Sequence, residues 1–417
     1  MQPSMGTRPF KPSRGPQTRH RLGYIKFHRA PDKFEVSIES RDLKGGQPTL
    51  ILSDPRLVDF CWLHDGRVTY SKQEPTPNGS DGNLWEMPVD ARTGEPTNKP
   101  RRLTNWAGFQ LSNLTPTADG KRLAFTKQTP HNGVYVGELQ ANGTRLKGPP
   151  RRLTVGEYDD LPYAWTRDSK AVLIRSYRDG RTEILKQPLD QDSAETLVTG
   201  KNISEPRLSS DGSWALYSVS PDNAGPTTPV NLVRVPTSGG PTHLVLTSRG
   251  LMDWRCALSP ATLCVLTEGS PDQRQLTFIA FDPIEGRGRE LMKIETDPAG
   301  IYSFGLSPDA SRLAVEKINE GRIRILSLDG SAPRDVKVKG WASLNSLDWA
   351  TDGKGFFASS QSPQGATLLH IDLEGNAQAL WTQKGSFQTW GVPSPDGKSL
   401  AILGATIESN VWMIENF

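Results

Sequence analysis

Little in this chain could hold a metal, cross-link the fold or cross a membrane. Of 417 residues, three are cysteine and six are histidine. Cys61, Cys256 and Cys264 do not make a disulfide framework. Cys256 and Cys264 flank one tight turn, where a bridge would fit, but they read as two small strand residues. His20, His28, His64, His131, His243 and His370 lie in six separate contexts, and no pair has metal-ligand spacing. No metal and no cofactor are therefore expected. No run of eighteen apolar residues occurs, so no segment reads as a membrane span. The opening stretch MQPSMGTRPFKPSRGPQTRHR lacks the apolar core of a secretory signal. The sequence sets no compartment, and a periplasmic one would need a segment ahead of Met1. The nucleophile elbow Gly-x-Ser-x-Gly of serine hydrolases is missing too, so the chain is expected not to be an enzyme.

Charge of one sign is scarce in the body. The net charge is +3, from 49 basic and 46 acidic residues. Residues 1–30 carry seven Lys or Arg and no acid, which leaves 42 basic and 46 acidic residues, a balance of −4, in the remainder. A nearly neutral, slightly acidic body argues against nucleic acid as its partner. The first thirty residues are rich in Pro, Ser, Gly and Arg and read as a basic, disordered tail, with 31–417 as one domain.

What the chain does have is turns. Gly 39 and Pro 33 are high, while the hydrophobic content is only 35%, a composition that suits many short strands. One turn of the type Ser-Pro-Asp-Gly recurs. Its Asp falls at Asp65, Asp119, Asp168, Asp211, Asp309, Asp352 and Asp396, and a degraded copy, SPAT, begins at Ser259. Successive copies are 43 to 54 residues apart, a period expected of propeller blades. Asp accepts hydrogen bonds from backbone N–H groups two residues on, and Gly supplies positive φ. A bulky residue often sits three before the Asp, as at Trp62, Trp165, Leu208, Leu306 and Trp349. Alternating strands such as RLAFT from Arg122 and RLAVE from Arg312 follow the turn, then third strands such as RIRILSLD and fourth strands such as RRLTVG. Four antiparallel strands make one blade, and a blade needs neighbours on both faces. The expectation is an all-β propeller of eight four-stranded blades, or seven, with the N-terminal strand PTLILSD completing the last blade. FEVSIES and GYIKFH have no place in that scheme.

The units TVGEYDDLPYAWTRDSKAVLIRS and LSPDASRLAVEKINEGRIRILSLDG resemble the TolB-type, WD40-like propeller repeat of bacteria. Leu153, Thr154, Pro162, Trp165, Asp168 and Lys170 match its pattern, and Ser169 departs from it by replacing the glycine. The closing SNVWMIENF is similar to the end of propellers joined to kinase or winged-helix domains in large signalling proteins. The resemblance implies a scaffold that binds proteins or peptides, as a monomer and without catalysis, and a role as the sensory part of a longer chain. The same resemblance reaches propellers that precede a peptidase domain, so the alternatives are an active site in the channel or the propeller of a peptidase-type protein.

Ligand residues are sought where blade connections meet polar loops. Tyr158, Asp159 and Asp160 offer one ring and two carboxylates, which could hold a cation or fix the loop. Trp106, Phe109, Tyr302, Trp341, Phe387 and Trp390 are aromatic and lie in other blade connections. Each could instead pack between blades. Trp165 is expected to be buried between adjacent blades with its N–H on a backbone oxygen.

Overall fold

The computed structural model describes residues 21–417 apart from 30–33, 75–80, 107, 141–142, 156–157, 179, 223, 225–227, 385 and 387. The N-terminal stretch 1–20 and Phe387 thus lie outside the described residues. Among those described, every regular element is a strand. The chain divides into two compact units, residues 1–130 with 407–417, and residues 131–406. The strand that opens the first unit begins at Arg21, inside the stretch expected to be tail.

The first unit has three sheets among the described residues. In one, β1 (Arg21–Arg29), β2 (Phe34–Asp42) and β3 (Thr49–Ser53) pair in that order. This places both leftover segments: Ile25 of GYIKFH pairs with Ile38 of FEVSIES, and Ile38 with Leu52. The second sheet is β4 (Leu57–Trp62), β5 (Arg67–Gln73), β6 (Gly82–Pro88) and β7 (Arg101–Arg102). The third contains β8 (Gln110–Pro116), the first part of β9 (Arg122–Glu138) and, across the salt bridge from Arg122 to Glu415 at 2.9 Å, the last part of the C-terminal strand. The unit's core lies between its sheets, with Val36, Ile38, Phe60, Trp62 and Tyr70 in one cluster and Leu84, Leu111, Leu123 and Phe125 in another. Cys61 is buried there and its thiol is pushed up to about 12 by burial, so it stays a neutral packing group.

The second unit opens with the remainder of β9 and with β10 (Arg151–Arg152). Four-stranded sheets follow: β11 (Asp159–Trp165), β12 (Ala171–Arg178), β13 (Arg181–Pro188), β14 (Glu195–Gly200); then β15 (Arg207–Leu208), β16 (Trp214–Val219), β17 (Pro229–Pro236), β18 (His243–Arg249). Next come β19 (Leu251–Cys256), β20 (Cys264–Gly269), β21 (Gln275–Asp282), β22 (Gly286–Glu295); then β23 (Tyr302–Leu306), β24 (Arg312–Lys317), β25 (Arg322–Ser327), β26 (Arg334–Lys337). The last are β27 (Ser346–Trp349), β28 (Gly355–Ser362), β29 (Gly365–Asp372), β30 (Ala377–Lys384), and finally β31 (Gly391–Pro393) with β32 (Ser399–Glu415). The sixth sheet is closed in the order β31, β32, β9, β10.

The first strands of these sheets touch in sequence, β11 on β15, β15 on β19, β19 on β23, β23 on β27, β27 on β31, and β31 again on β11. That is a closed ring of six sheets, a β-propeller. The expectation of eight blades is corrected to six in this ring, and seven fails with it. All eight recurrent turns do join a first strand to a second, but those at Asp65 and Asp119 belong to the other unit. PTLILSD does not close the ring either, since β3 pairs with β2 and residues 131–138 of β9 take the third-strand position. Sequence period counts sheets, and only packing decides which of them share an axis.

The turn chemistry is as expected. At Asp168, the Thr166 hydroxyl donates to Oδ1 at 2.7 Å and the Lys170 N–H donates to the same atom at 3.1 Å. Ser169, in the glycine position, adopts φ 60°. Ser307 and Asp309, like Ser394 and Asp396, repeat the pattern. The degraded turn after β19 has Ala261 in place of the Asp. There a disulfide between Cys256 and Cys264 ties β19 to β20, correcting the reading of these two as unlinked. Trp165 is 2% exposed and donates its indole N–H to the Val392 carbonyl at 2.8 Å, as its repeat position demands.

Candidate functional site

In a ring of like sheets, the position four residues before each turn Asp falls near the end of the first strand. Four of the six carry small or apolar residues there: Ala164, Ala257, Gly305 and Val392. The other two are charged, Arg207 on β15 and Asp348 on β27. These strands stand three steps apart in the ring of six, directly opposite. Burial raises the Asp348 carboxyl above the usual range, and the nearby guanidinium charges of Arg255 and Arg207 pull it back down. Arg207 and Asp348 thus stand on opposite first strands, and the charge of each bears on the other.

Asp253 and Arg255, two apart on β19, join them. Arg255 Nη1 donates to Asp253 Oδ1 and, at 3.0 Å, to the Trp254 carbonyl. Arg207 Nη1 donates to the Tyr163 carbonyl at 2.7 Å, with its guanidinium 5.4 Å from the Tyr163 ring centroid. Arg175 approaches the same ring at 5.9 Å and lies 3.7 Å from Glu205. Burial lowers the Arg207 pKa, and the like charge of Arg255 lowers it further. The Nε atoms of both Arg207 and Arg255 are buried and have no hydrogen-bond partner among the described residues. The first strands thus bring together two cations and two carboxylates, and one N–H of each cation is unused among the described residues.

One more carboxyl feels the Asp348 charge. Glu316 on β24 is fully buried, and neither Oε atom has a hydrogen-bond partner among the described residues. Burial, with the Asp348 charge added, pushes its pKa up to about 8, so it is neutral at pH 7.

Several residues singled out in the sequence sit at the leading ends of first strands. Asp159 and Asp160 open β11 and Tyr302 opens β23; Trp390 immediately precedes β31. Their roles differ. Asp160 is 2% exposed and accepts the Ser176 hydroxyl at 2.5 Å, with Arg178 at 3.7 Å. That is the loop-fixing role. Asp159 is raised by burial although the Asn132 amide donates to it. Tyr158 is exposed, with the Arg178 guanidinium 4.3 Å from its ring centroid. The Tyr302 hydroxyl accepts the Asp297 N–H at 2.9 Å, and Trp390 donates to the Pro162 carbonyl at 2.8 Å. Trp341 packs on the core between the β23 and β27 sheets. Trp106 and Phe109 belong to the first unit and pack on Leu111 and Phe125, so they do not join the channel set. Arg207, Asp253, Arg255, Glu316 and Asp348 were not anticipated. The signal for two of them was there in the sequence: a charge where the other units keep a small or apolar residue.

No family model matches the chain, and no curated protein is similar to it in sequence. Solved structures are. A putative TolB from Agrobacterium tumefaciens is 16% identical with a TM-score of 0.49, covering 66% of this chain and 99% of that one.

TolB from Acinetobacter baumannii is 14% identical with a TM-score of 0.45, covering 94% of this chain and 82% of that one. A puromycin hydrolase variant is 15% identical with a TM-score of 0.36; the match covers 92% of this chain but only 56% of that protein. The propeller assignment rests on the closed ring of first strands itself. Among the described residues, no helix is long and apolar enough to cross a membrane.

Proposed function

We propose that the chain is a non-catalytic binding propeller that takes a segment of a protein or peptide partner at the channel of its six-sheet ring. The observation that carries this reading is the opposed pair Arg207 and Asp348, with Arg255 and Asp253 beside it. Charges cost free energy when buried, and a purely structural ring would keep these positions small and apolar, as the other four sheets do. A wall with both signs and unused N–H groups suits a ligand that is itself both donor and acceptor, which a polypeptide backbone is. The chain acts as a monomer in this reading, and its body does not engage nucleic acid. The rival reading, an active site in the channel, draws on the same carboxylates.

A random peptide display library panned on the immobilised protein tests the proposal. Enriched peptides should lose binding to Arg207→Ala and to Asp348→Ala, while both variants melt close to the wild type. Failure to enrich any peptide, or peptides that bind both variants as well as the wild type, would refute it. A hydrolytic or lyase activity abolished by the same substitutions would establish the rival.

A further inference from the structure

Three aromatic rings of the first unit, from two segments far apart in the sequence, stand around one ammonium group. Trp106 and Phe109 lie between β7 and β8, and Trp412 lies on β32. Lys127 on β9 places its Nζ 3.3 Å from the centroid of Phe109, 4.2 Å from Trp412 and 5.7 Å from Trp106. Trp106 and Phe109 both pack on the core of the unit. The Asn83 side chain accepts the Trp106 backbone N–H at 2.7 Å and donates to the Trp106 carbonyl at 3.0 Å. The Trp106 ring packs on Phe125 with centroids 5.7 Å apart. Trp412 is 46% exposed, so the cage opens to solvent on that side. Among the described residues Lys127 forms no ion pair, and the ring faces are what its charge meets.

A primary ammonium is a demanding guest for such a cage. It is strongly hydrated, carries three N–H donors, and ring faces replace water poorly as acceptors. A fully methylated, quaternary ammonium has no such donors to satisfy and spreads its charge over methyl groups that rest on the rings. We propose that Trp106, Phe109 and Trp412 form a binding site for methylated ammonium groups, and that Lys127 is its built-in occupant, displaced when such a ligand arrives. Because Lys127 is tethered, it lowers the apparent affinity in proportion to the time it fills the cage.

Calorimetric titration of the whole chain with tetramethylammonium chloride, against sodium chloride as the ionic control, tests this. Lys127→Ala should bind tetramethylammonium about tenfold or more tightly than the wild type does, and adding Trp412→Ala should abolish the binding. Lys127→Met, which keeps an apolar stem against the rings, serves the same comparison should Lys127→Ala fail to fold. Choline and a short peptide bearing trimethyllysine then separate the two sources of the group: tighter choline binding indicates a free small amine, tighter peptide binding a modified partner protein. A folded Lys127 variant that takes up no tetramethylammonium at tens of millimolar overturns the site. Equal affinity in the wild type and the Lys127 variants overturns the role of Lys127 as competitor.

Discussion

The hairpin β11–β12 and the hairpin β23–β24 occupy equivalent places in the ring, and each pairs a carboxylic acid with a hydroxyl near its leading end. In the first, the acid is on the first strand: Asp160 sits opposite Ser176. In the second the order is reversed, with Ser303 opposite Glu316. Both acids are buried, at 2% and 0% exposure, yet they end differently. Asp160 is bonded by Ser176 and flanked by Arg178, whereas among the described residues Glu316 has neither a hydrogen bond nor a cation. Burial alone therefore does not decide whether an acid is paired. What separates them is whether the hydroxyl across the hairpin donates to the acid, as Ser176 does and Ser303 does not.

The largest expected effect comes from removing the orphan. The Glu316 pKa rises from 4.5 to about 8 on folding. Below pH 4.5 the carboxyl is protonated in both states and costs nothing. Between the two values only the unfolded chain releases the proton, so stability falls as pH rises, and the loss is complete above pH 8. At 1.36 kcal/mol per unit the loss is roughly 4–5 kcal/mol, an upper bound. Glu316→Gln should remove this pH dependence and leave the variant more stable than the wild type at pH 9. Denaturant titrations at pH 5 and pH 9 check it; a wild type equally stable at both, or a variant that is less stable at pH 9, would break the contrast with Asp160.

Next come the bulky residues three before each turn Asp. Trp165 in the first hairpin packs on Val172 and Ile174 and is bonded to Val392 of the neighbouring sheet. Leu306 in the second is 7% exposed and makes no such bond. Trp165→Ala should cost about 3–5 kcal/mol and Leu306→Ala about 2–4 kcal/mol. A melting temperature near wild type for Trp165→Ala would show that the indole serves a ligand instead of the core.

Much of this was legible before any coordinates. The turn, the alternation and the Trp positions are local, set by hydrogen bonds within a few residues and by the pleat. What was hidden depends on distant partners. Nothing local says that residues 131–138 fill a slot beside Ser399, or that Asp65 and Asp119 belong to a different stack from Asp168. For the same reason the aromatic residues of the blade connections drew attention while the channel charges did not. Arg207 and Asp348 are ordinary residues on short strands until the ring sets them face to face.

A smaller effect is expected at Asp160. Asp160→Ala leaves the Ser176 hydroxyl without its acceptor and takes a carboxylate away from Arg178, at a cost of about 1–3 kcal/mol. Asp160→Asn keeps an acceptor and should recover most of that. If Asp160→Ala instead abolished ligand binding with stability unchanged, the two acids would have to exchange roles.

The smallest effect separates the two turns. Asp168 accepts the Thr166 hydroxyl and the Lys170 N–H, and Asp309 accepts the same kinds of donor with the Ser311 hydroxyl added at 2.8 Å. Both turns are solvent-exposed, so Asp168→Ala should cost only about 1 kcal/mol, and Asp309→Ala somewhat more because it strands an extra hydroxyl. The Asp168 pKa is lowered, first by the Thr166 hydroxyl, against burial, which raises it, and with the Lys170 N–H adding to the lowering. A lowered carboxylate gives stability that is present above its unfolded value near 4 and is lost as pH falls through the folded one. The gap in melting temperature between wild type and Asp168→Ala should therefore be widest near neutral pH and close below pH 4. A gap that persists at pH 2.5 would mean that the side chain matters for its shape in the turn and not for its charge.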